Sequence, residues 1–176
     1  MSETGGVRAA KLNDARPPPM GWRARVWRWL QRTPVRTFVV YPALVIGFEL
    51  ILQGGRLGFA PWGVPLLIWG YLQYHLAGAY RRRHGGGGPG LDRPPQRIVC
   101  EGPYRYTRNP MYLGHLIFMA GLTLTFRSWL ALSILLLNLI WFHFRVRRDE
   151  EHLLRLFGTP YAEYCRRVKR WIPGVI

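Results

Sequence analysis

Two polar stretches hold the residues of this chain that could do chemistry. The first, from Gly102 to Tyr112, combines glycine, proline, tyrosine and arginine, and the second is the acidic run Asp149 to Glu151, which follows three arginines. Carboxylates can receive an ammonium group or a proton, arginines can bind a carboxylate, and tyrosine rings can face a cation. Taken by itself, however, this pattern is more typical of an aromatic belt with solvated ion pairs at a membrane surface.

Four apolar segments must position these stretches: 37–52, 59–80, 111–126 and 129–144. The second segment reaches the roughly 20 residues that cross a bilayer core, and the others need flanking residues to do so. Only Arg127 and Ser128 separate the last two segments. So short a break predicts a tight antiparallel hairpin of helices, or a pair that enters the bilayer without crossing it fully. We therefore predict an all-α integral membrane protein with about four transmembrane helices.

The distribution of basic residues gives the orientation. Lys and Arg number 8 in residues 1–36, 7 in residues 80–110 and 8 in residues 145–176, so these three regions hold 23 of the 25. The other two connections carry only Arg56 and Arg127. Since basic residues stay in the cytoplasm during insertion, we expect a cytoplasmic (inner) membrane protein with both termini and the central loop in the cytoplasm. Both polar stretches then lie on that side.

The remaining segments complete the predicted organisation. Residues 1–21 are rich in charge, glycine and proline and predict a disordered cytoplasmic tail, followed by a single membrane domain, 22–176. Within it, 22–36 predicts an interfacial helix, with the polar start of the first spanning helix as the alternative. Residues 81–110 predict a cytoplasmic loop, and 145–176 a cytoplasmic tail of helices that breaks at Gly158 to Pro160.

Composition argues against other classes of protein. The chain combines 49% hydrophobic residues with a formal charge of +16, and its basic residues lie between apolar runs, whereas a nucleic-acid-binding protein would carry them on a folded polar face. The glycines from Gly85 to Gly90 follow no strand and precede no Lys-Ser/Thr, so they fit a flexible linker better than a phosphate loop. Cys100 and Cys165 match no disulfide or metal spacing.

The order and spacing of motifs over residues 96–173 resemble the isoprenylcysteine carboxyl methyltransferase family and its phospholipid methyltransferase relatives. The resemblance begins with Gly102-Pro103-Tyr104, continues with Arg108-Asn109-Pro110-Met111-Tyr112 and Gly114, passes through the hairpin, and ends with Asp149-Glu150, Leu153, Phe157-Gly158, Tyr161, Tyr164, Val168 and Ile172-Pro173. It implies methyl transfer from S-adenosylmethionine to a lipophilic small-molecule substrate or membrane lipid at the cytoplasmic face. A small prokaryotic-type member of the family is the closest description.

The resemblance also implies roles for particular residues. Cofactor-binding positions are Gln96, Ile98, Val99, Tyr104, Arg108, Asn109, Pro110, Met111, Tyr112, Asp149 and Glu150. Arg145 falls where relatives place a substrate-contacting arginine, and Arg145 and Glu150 are the implied catalytic residues. The sequence departs from the family at Asn109, where many relatives have His, at Asp149, where Glu is common, and at Lys169, where Pro is frequent. Because Glu151 follows directly, the acidic pair could also be Glu150 and Glu151.

The sequence leaves open the type of acceptor and two other functions. An acceptor carboxylate would need no base and could be oriented by Arg145, whereas an acceptor amine would need a carboxylate to take its proton. A competing hypothesis is a membrane haem or metal protein that uses His115 and His143, which lie at similar depth on facing helices, with His75 on the second helix. A third is a non-catalytic membrane scaffold, which would not require this arrangement of polar groups. Glu49, inside the first apolar segment, carries little weight as a functional residue because it could reach the far surface.

Overall fold

The computed structural model describes residues 21–87 and 95–171, and the predicted disordered tail lies outside this range except for Gly21. In these two ranges every regular element is a helix, which confirms the predicted all-α class. The chain divides into two compact units between Arg32 and Thr33, so the second unit begins eleven residues after the predicted start of the membrane domain.

The first unit contains one described helix, α1, from Trp22 to Leu30. Its residues are exposed, apart from the half-buried Leu30, and tryptophans and arginines alternate along it. The helix ends before Gln31, so it is separate from the next helix and does not form its polar start. Its location at the membrane surface stays a prediction.

The second unit begins with α2, from Thr33 to Leu52, and α3, from Val64 to Gly85, which a 3₁₀ turn at Pro61–Gly63 precedes. Helix α2 contains a π-helical segment, Arg36–Val40, in which the Tyr41 amide bonds to the Arg36 carbonyl five residues back. Pro42 follows this segment and has no amide hydrogen to give to the ordinary α-helical bond.

Helix α3 starts later and ends later than the apolar segment 59–80. Residues 81–85 are helical, which corrects the predicted start of the central loop. The basic residues Arg82, Arg83 and His84 lie in the last turn, where a positive charge interacts favourably with the negative end of the helix dipole.

Three more helices follow: α4 from Pro110 to Phe126, α5 from Trp129 to Phe157, and α6 from Thr159 to Arg167. Arg127 and Ser128 join α4 to α5, and the Ser128 hydroxyl accepts a hydrogen bond from the Ala131 amide as an N-cap. Helix α5 continues well past the apolar segment and stops at Gly158, which has a φ of 61°. The predicted break at this glycine is confirmed.

Two of the described helices, α2 and α5, are long and apolar enough to cross a membrane. Helix α4 is apolar but has 17 residues, and α3 has 22 residues with polar side chains such as Gln73 and His75. Four full crossings therefore stay a prediction.

Helices α3 and α4 pack with their backbones in contact. A methyl group at Gly114 would lie 2.8 Å from the Gly70 carbonyl oxygen, and one at Gly121 would lie 2.7 Å from the Leu67 amide nitrogen. No side chain fits at either distance. Gly63 likewise faces Gly121 and Thr125. The seven-residue spacing of these glycines keeps them on one face of each helix.

The buried core lies between α4, α5 and the C-terminal segment. Leu116 and Met119 of α4 pack with Phe142 and Val146 of α5, and Trp171 covers the group. This brings the end of the described chain back to the polar ends of α4 and α5, where both chemically promising stretches lie.

Candidate active site

The segment before α4 is held against the C-terminal end of α3. The Gln96 amide donates to the Gly85 carbonyl at 2.8 Å, and a methyl group at Gly85 would collide with the Val99 side chain. Gly102 has a φ of 58° and lies against the Tyr80 ring, so both backbone conformation and space require glycine there. These contacts explain why the Gly102-Pro103-Tyr104 motif begins with glycine.

Tyr104 is buried where this segment meets α6. Its carbonyl accepts a hydrogen bond from the Tyr164 hydroxyl at 2.7 Å. Burial raises the pKa of Tyr104 to about 12, with Arg81 acting weakly in the other direction. Burial likewise raises the pKa of Tyr164, so both hydroxyls stay protonated near neutral pH.

The N-terminus of α4 is attached to the C-terminal segment by main-chain hydrogen bonds. The Arg108 amide donates to the Lys169 carbonyl at 3.0 Å, and the Thr107 hydroxyl donates to the Arg170 carbonyl at 3.0 Å. Pro110 occupies the first helical position, where no amide hydrogen is needed, and its carbonyl accepts from Gln73 of α3. Two other parts of the chain, the C-terminal segment and α3, therefore fix this helix end.

Glu150 is the centre of the polar cluster and is only 8% exposed. Its Oε1 accepts from Asn109 Nδ2 at 3.3 Å, and its Oε2 accepts from Arg170 Nη2 at 2.8 Å and Nε at 3.1 Å. Arg108 Nε lies 3.5 Å from Oε1 as an ion pair without a hydrogen bond. Hydrogen bonding to Glu150 raises the pKa of Arg170, so this guanidinium stays charged.

Asp149 lies one residue earlier on α5 and has a separate set of partners. Its Oδ2 accepts from the Tyr112 hydroxyl at 2.8 Å, and its Oδ1 lies 3.3 Å from Arg145 Nε one turn back on the helix. The Arg145 side chain is 45% exposed, compared with 12% for Arg108 and 26% for Arg170 beside Glu150. Among the residues that contact the two carboxylates, Arg145 is therefore the one most accessible to a second reactant.

The structure brings six of the sequence-predicted residues into two polar groups around consecutive carboxylates: Arg108 and Asn109 with Glu150, and Tyr112 and Arg145 with Asp149. The other predicted positions are held elsewhere around them. Gln96 and Val99 lie against the end of α3, Met111 faces Gly78 of α3, and Ile98 is half-buried. Glu151 is exposed, so the geometry favours Asp149 and Glu150 as the acidic pair.

Sequence reasoning missed two residues of this site. Arg170 makes the shortest contacts to Glu150, and Thr107 links the α4 end to the Arg170 carbonyl. Arg170 is twenty residues from Glu150, with a helix break between them, so no periodicity relates the two. The available signal was the motif that runs from Val168 to Pro173, in which Arg170 precedes Trp171.

The histidines of the competing haem hypothesis lie among aromatic rings. His115 is buried, with its ring centroid 5.0 Å from that of Phe38 and 4.7 Å from that of Tyr74, and His143 is 5.9 Å from Phe144. No cluster of three or more potential metal-ligating side chains occurs in the part of the chain that the structure describes. No contact here favours that hypothesis over the methyltransferase one.

The part of the chain that carries most of this cluster is similar in sequence to known proteins. Residues 89–160 match the phospholipid methyltransferase family. Protein-S-isoprenylcysteine O-methyltransferase B of Arabidopsis thaliana is 32% identical over 81 residues, which are 45% of this chain and 41% of that protein.

Two fungal relatives show the same degree of similarity. The protein-S-isoprenylcysteine O-methyltransferase of Schizosaccharomyces pombe is 32% identical over 79 residues, 43% of this chain and 33% of the relative. The corresponding Saccharomyces cerevisiae protein is 33% identical over 80 residues, 44% of this chain and 33% of the relative. These matches support the predicted resemblance to the isoprenylcysteine carboxyl methyltransferase family over that part of the chain. The chain spans less than half the length of these relatives.

Proposed function

We propose that this protein transfers a methyl group from S-adenosylmethionine to a lipophilic acceptor at the cytoplasmic face of a membrane. One observation carries the proposal: the Arg108–Tyr112 end of α4 is joined to both Asp149 and Glu150 of α5 by hydrogen bonds and an ion pair, and all of these residues belong to the matched region. A family relationship alone would not require these residues to be in contact.

The donor set of the cluster fits the polar end of the proposed cofactor. S-adenosylmethionine carries a carboxylate and an ammonium group beside its sulfonium. Arg108 Nε in the cluster and Arg81 Nη2 near Tyr104 are buried donors without a hydrogen-bond partner in the described structure, and such donors suit a carboxylate. Glu150 and Asp149 supply the negative charge for the ammonium group, and Tyr112 supplies an aromatic face near them.

The chemistry that the cofactor supplies is an activated methyl group on a positively charged sulfur. The protein's own residues have to bind, orient and exclude water. Arg108, Asn109 and Arg170 hold the Glu150 carboxylate in one orientation. Arg145, partly exposed and held by Asp149, lies where it can orient an acceptor headgroup.

The partners of the two carboxylates favour an acceptor that brings no proton to remove. Glu150 already accepts hydrogen bonds from Arg170 and Asn109, and Asp149 accepts from Tyr112 beside Arg145. All four oxygens of these carboxylates already face a protein donor, which leaves them poorly placed to take a proton from an acceptor. We therefore propose a carboxylate acceptor and O-methylation, with the amine of a lipid headgroup as the second candidate.

The topology is part of the same proposal. We place both termini, the 95–109 segment and α6 in the cytoplasm, where the water-soluble cofactor is available, and let the acceptor chain enter from the lipid between helices. The one-sided distribution of Lys and Arg supports this orientation.

Cofactor binding by the full-length protein in detergent tests the assignment of the acidic pair. The Glu150→Gln variant keeps the size of the side chain but loses its charge, and we expect affinity for S-adenosylmethionine to fall at least about tenfold, because the arginines then lose their charged partner. The matched control is Glu151→Gln, next in the chain and exposed.

The control variant should bind S-adenosylmethionine as the unmodified protein does, measured by calorimetry with unfolding temperatures recorded in parallel. Equal affinities in both variants, or a loss only in Glu151→Gln, would remove this site assignment.

A further inference from the structure

Arg36 of α2 lies outside the region that matches the family and contacts α5. Arg36 begins the π-helical segment of α2, and its Nη2 donates to the Tyr41 hydroxyl at 2.7 Å. Its guanidinium carbon lies 5.6 Å from the Tyr41 ring centroid and 5.7 Å from that of Trp141 on α5. The side chain is thus held between two aromatic rings at the boundary of α2 and α5.

Arg36 has no negatively charged partner there. Within residues 21–87 and 95–171, its only hydrogen-bond acceptor is Tyr41, and no carboxylate lies within ion-pair distance of it. A guanidinium has five donors, and a half-buried one among apolar helices is costly while most of them lack partners. An anion that reached this place would complete its hydrogen bonds.

Arg36 of α2 lies over a position of α5 that is on the same face of that helix as Arg145. Trp141, which Arg36 covers, precedes Arg145 by four residues, so the two positions are one helical turn apart and about 6 Å along the axis. Arg145 shares its charge with Asp149, whereas Arg36 is uncompensated. The outer surface of α5 between them, including Trp141 and Phe144, is exposed and apolar.

From this arrangement we infer that Arg36 binds the anionic group of the lipophilic acceptor, together with Arg145, and so determines specificity for an anionic over a neutral acceptor. The apolar part of such a molecule would lie on the exposed α5 surface beside Trp141. The inference rests on the proposed function, since it names a residue that selects the acceptor of that reaction.

A purely structural role for Arg36 makes a different prediction. If the side chain only fastens α2 to α5 through its aromatic contacts, its removal should weaken binding of every acceptor equally by loosening the fold. If it binds an anion, its removal should affect only ligands that carry the negative charge.

Direct binding of two matched probes to the full-length protein separates these roles. The probes are a farnesyl thioether that ends in a carboxylate and the same compound as its carboxamide. The variants are Arg36→Gln, Arg36→Lys, which keeps the charge, and Arg56→Gln as a control at an exposed arginine of a different connection.

We expect Arg36→Gln to bind the carboxylate about tenfold more weakly while binding the carboxamide as before. Arg36→Lys should lie between Arg36→Gln and the unmodified protein, and Arg56→Gln should match the unmodified protein. Equal weakening of both probes by Arg36→Gln, or no change for either, would overturn the inference.

The same samples keep this inference apart from the proposed function. S-adenosylmethionine affinity should be unchanged in Arg36→Gln, because Arg36 does not contact the Glu150 cluster. A protein that discriminates between the probes through Arg36 but neither binds S-adenosylmethionine nor transfers methyl groups would support the anion site and overturn the methyltransferase proposal.

Discussion

The two helix interfaces on either side of the α4–α5 pair are built in opposite ways. Helices α3 and α4 touch through glycines, with no side chain between Gly70 and Gly114. Helices α2 and α5 meet through large and polar side chains: Arg36 covers Trp141, and the Tyr41 hydroxyl donates weakly to Asn138 at 3.4 Å. The α3–α4 interface has no room for anything else, whereas the α2–α5 interface combines these polar groups, which can rearrange, with a buried apolar cluster that contains Val45 and Ala131.

This difference indicates which parts of the molecule are fixed and which can respond to a ligand. The glycine contacts fix α4 on α3, and with it the helix end that holds Arg108 and Asn109 beside Glu150. Close backbone packing has only one good arrangement. A lipophilic acceptor would more easily enter beside α2, where a long polar contact and a cation–π contact can give way at small cost.

The glycine interface should show the largest effect on stability. We expect Gly114→Ala to lower the free energy of unfolding by about 1–3 kcal/mol, because the added methyl would lie 2.8 Å from both the Gly70 carbonyl oxygen and the Tyr74 amide nitrogen. Denaturant titration of the purified protein in detergent measures the change.

The matched control is Gly47→Ala on α2, where nothing lies within 4 Å of the added methyl. Alanine forms helices better than glycine, so this variant should be at least as stable as the unmodified protein. Similar losses of stability in the two variants would contradict the close α3–α4 contact.

The α2–α5 interface should tolerate a change better. Asn138 bonds within its own helix to the Ile134 carbonyl at 2.8 Å, and its contact with Tyr41 is long. Asn138→Leu removes the side-chain donor, but the Ile134 carbonyl keeps its backbone hydrogen bond within the helix. The same titration should therefore show that the free energy of unfolding falls by less than about 1 kcal/mol. A loss as large as that in Gly114→Ala would mean that both interfaces are equally fixed.

Much of the fold could be predicted because its signals are local. Apolar runs located the starts of α2 to α5 to within five residues, and the glycine after Phe157 marked the end of α5. The extension of α3 through Gly85 was missed, because the arginines there suggest a loop when neither their effect on the helix dipole nor the packing of Gly85 on residues 97–99 is known.

The residues of the candidate site also divide into those that local motifs indicate and those that only the packing of the chain brings together. Asn109, Tyr112 and the acidic pair could be named because they belong to motifs with fixed order and spacing. Arg170 could not be named in this way. Its place beside Glu150 depends on hydrogen bonds that attach the C-terminal segment to Thr107 and Arg108, and Thr107 precedes Arg170 by 63 residues. Arg36 was equally invisible, since its environment depends on how α2 packs against α5.

Transfer of a labelled methyl group is the most direct test of the central claim. Purified protein in vesicles would receive methyl-labelled S-adenosylmethionine with either a farnesylated cysteine carboxylate or total lipid as the acceptor. We predict that label enters the carboxylate acceptor as an alkali-labile ester and that Glu150→Gln largely abolishes this transfer while Glu151→Gln does not. Failure of the unmodified protein to label either acceptor, despite being folded, would contradict the account.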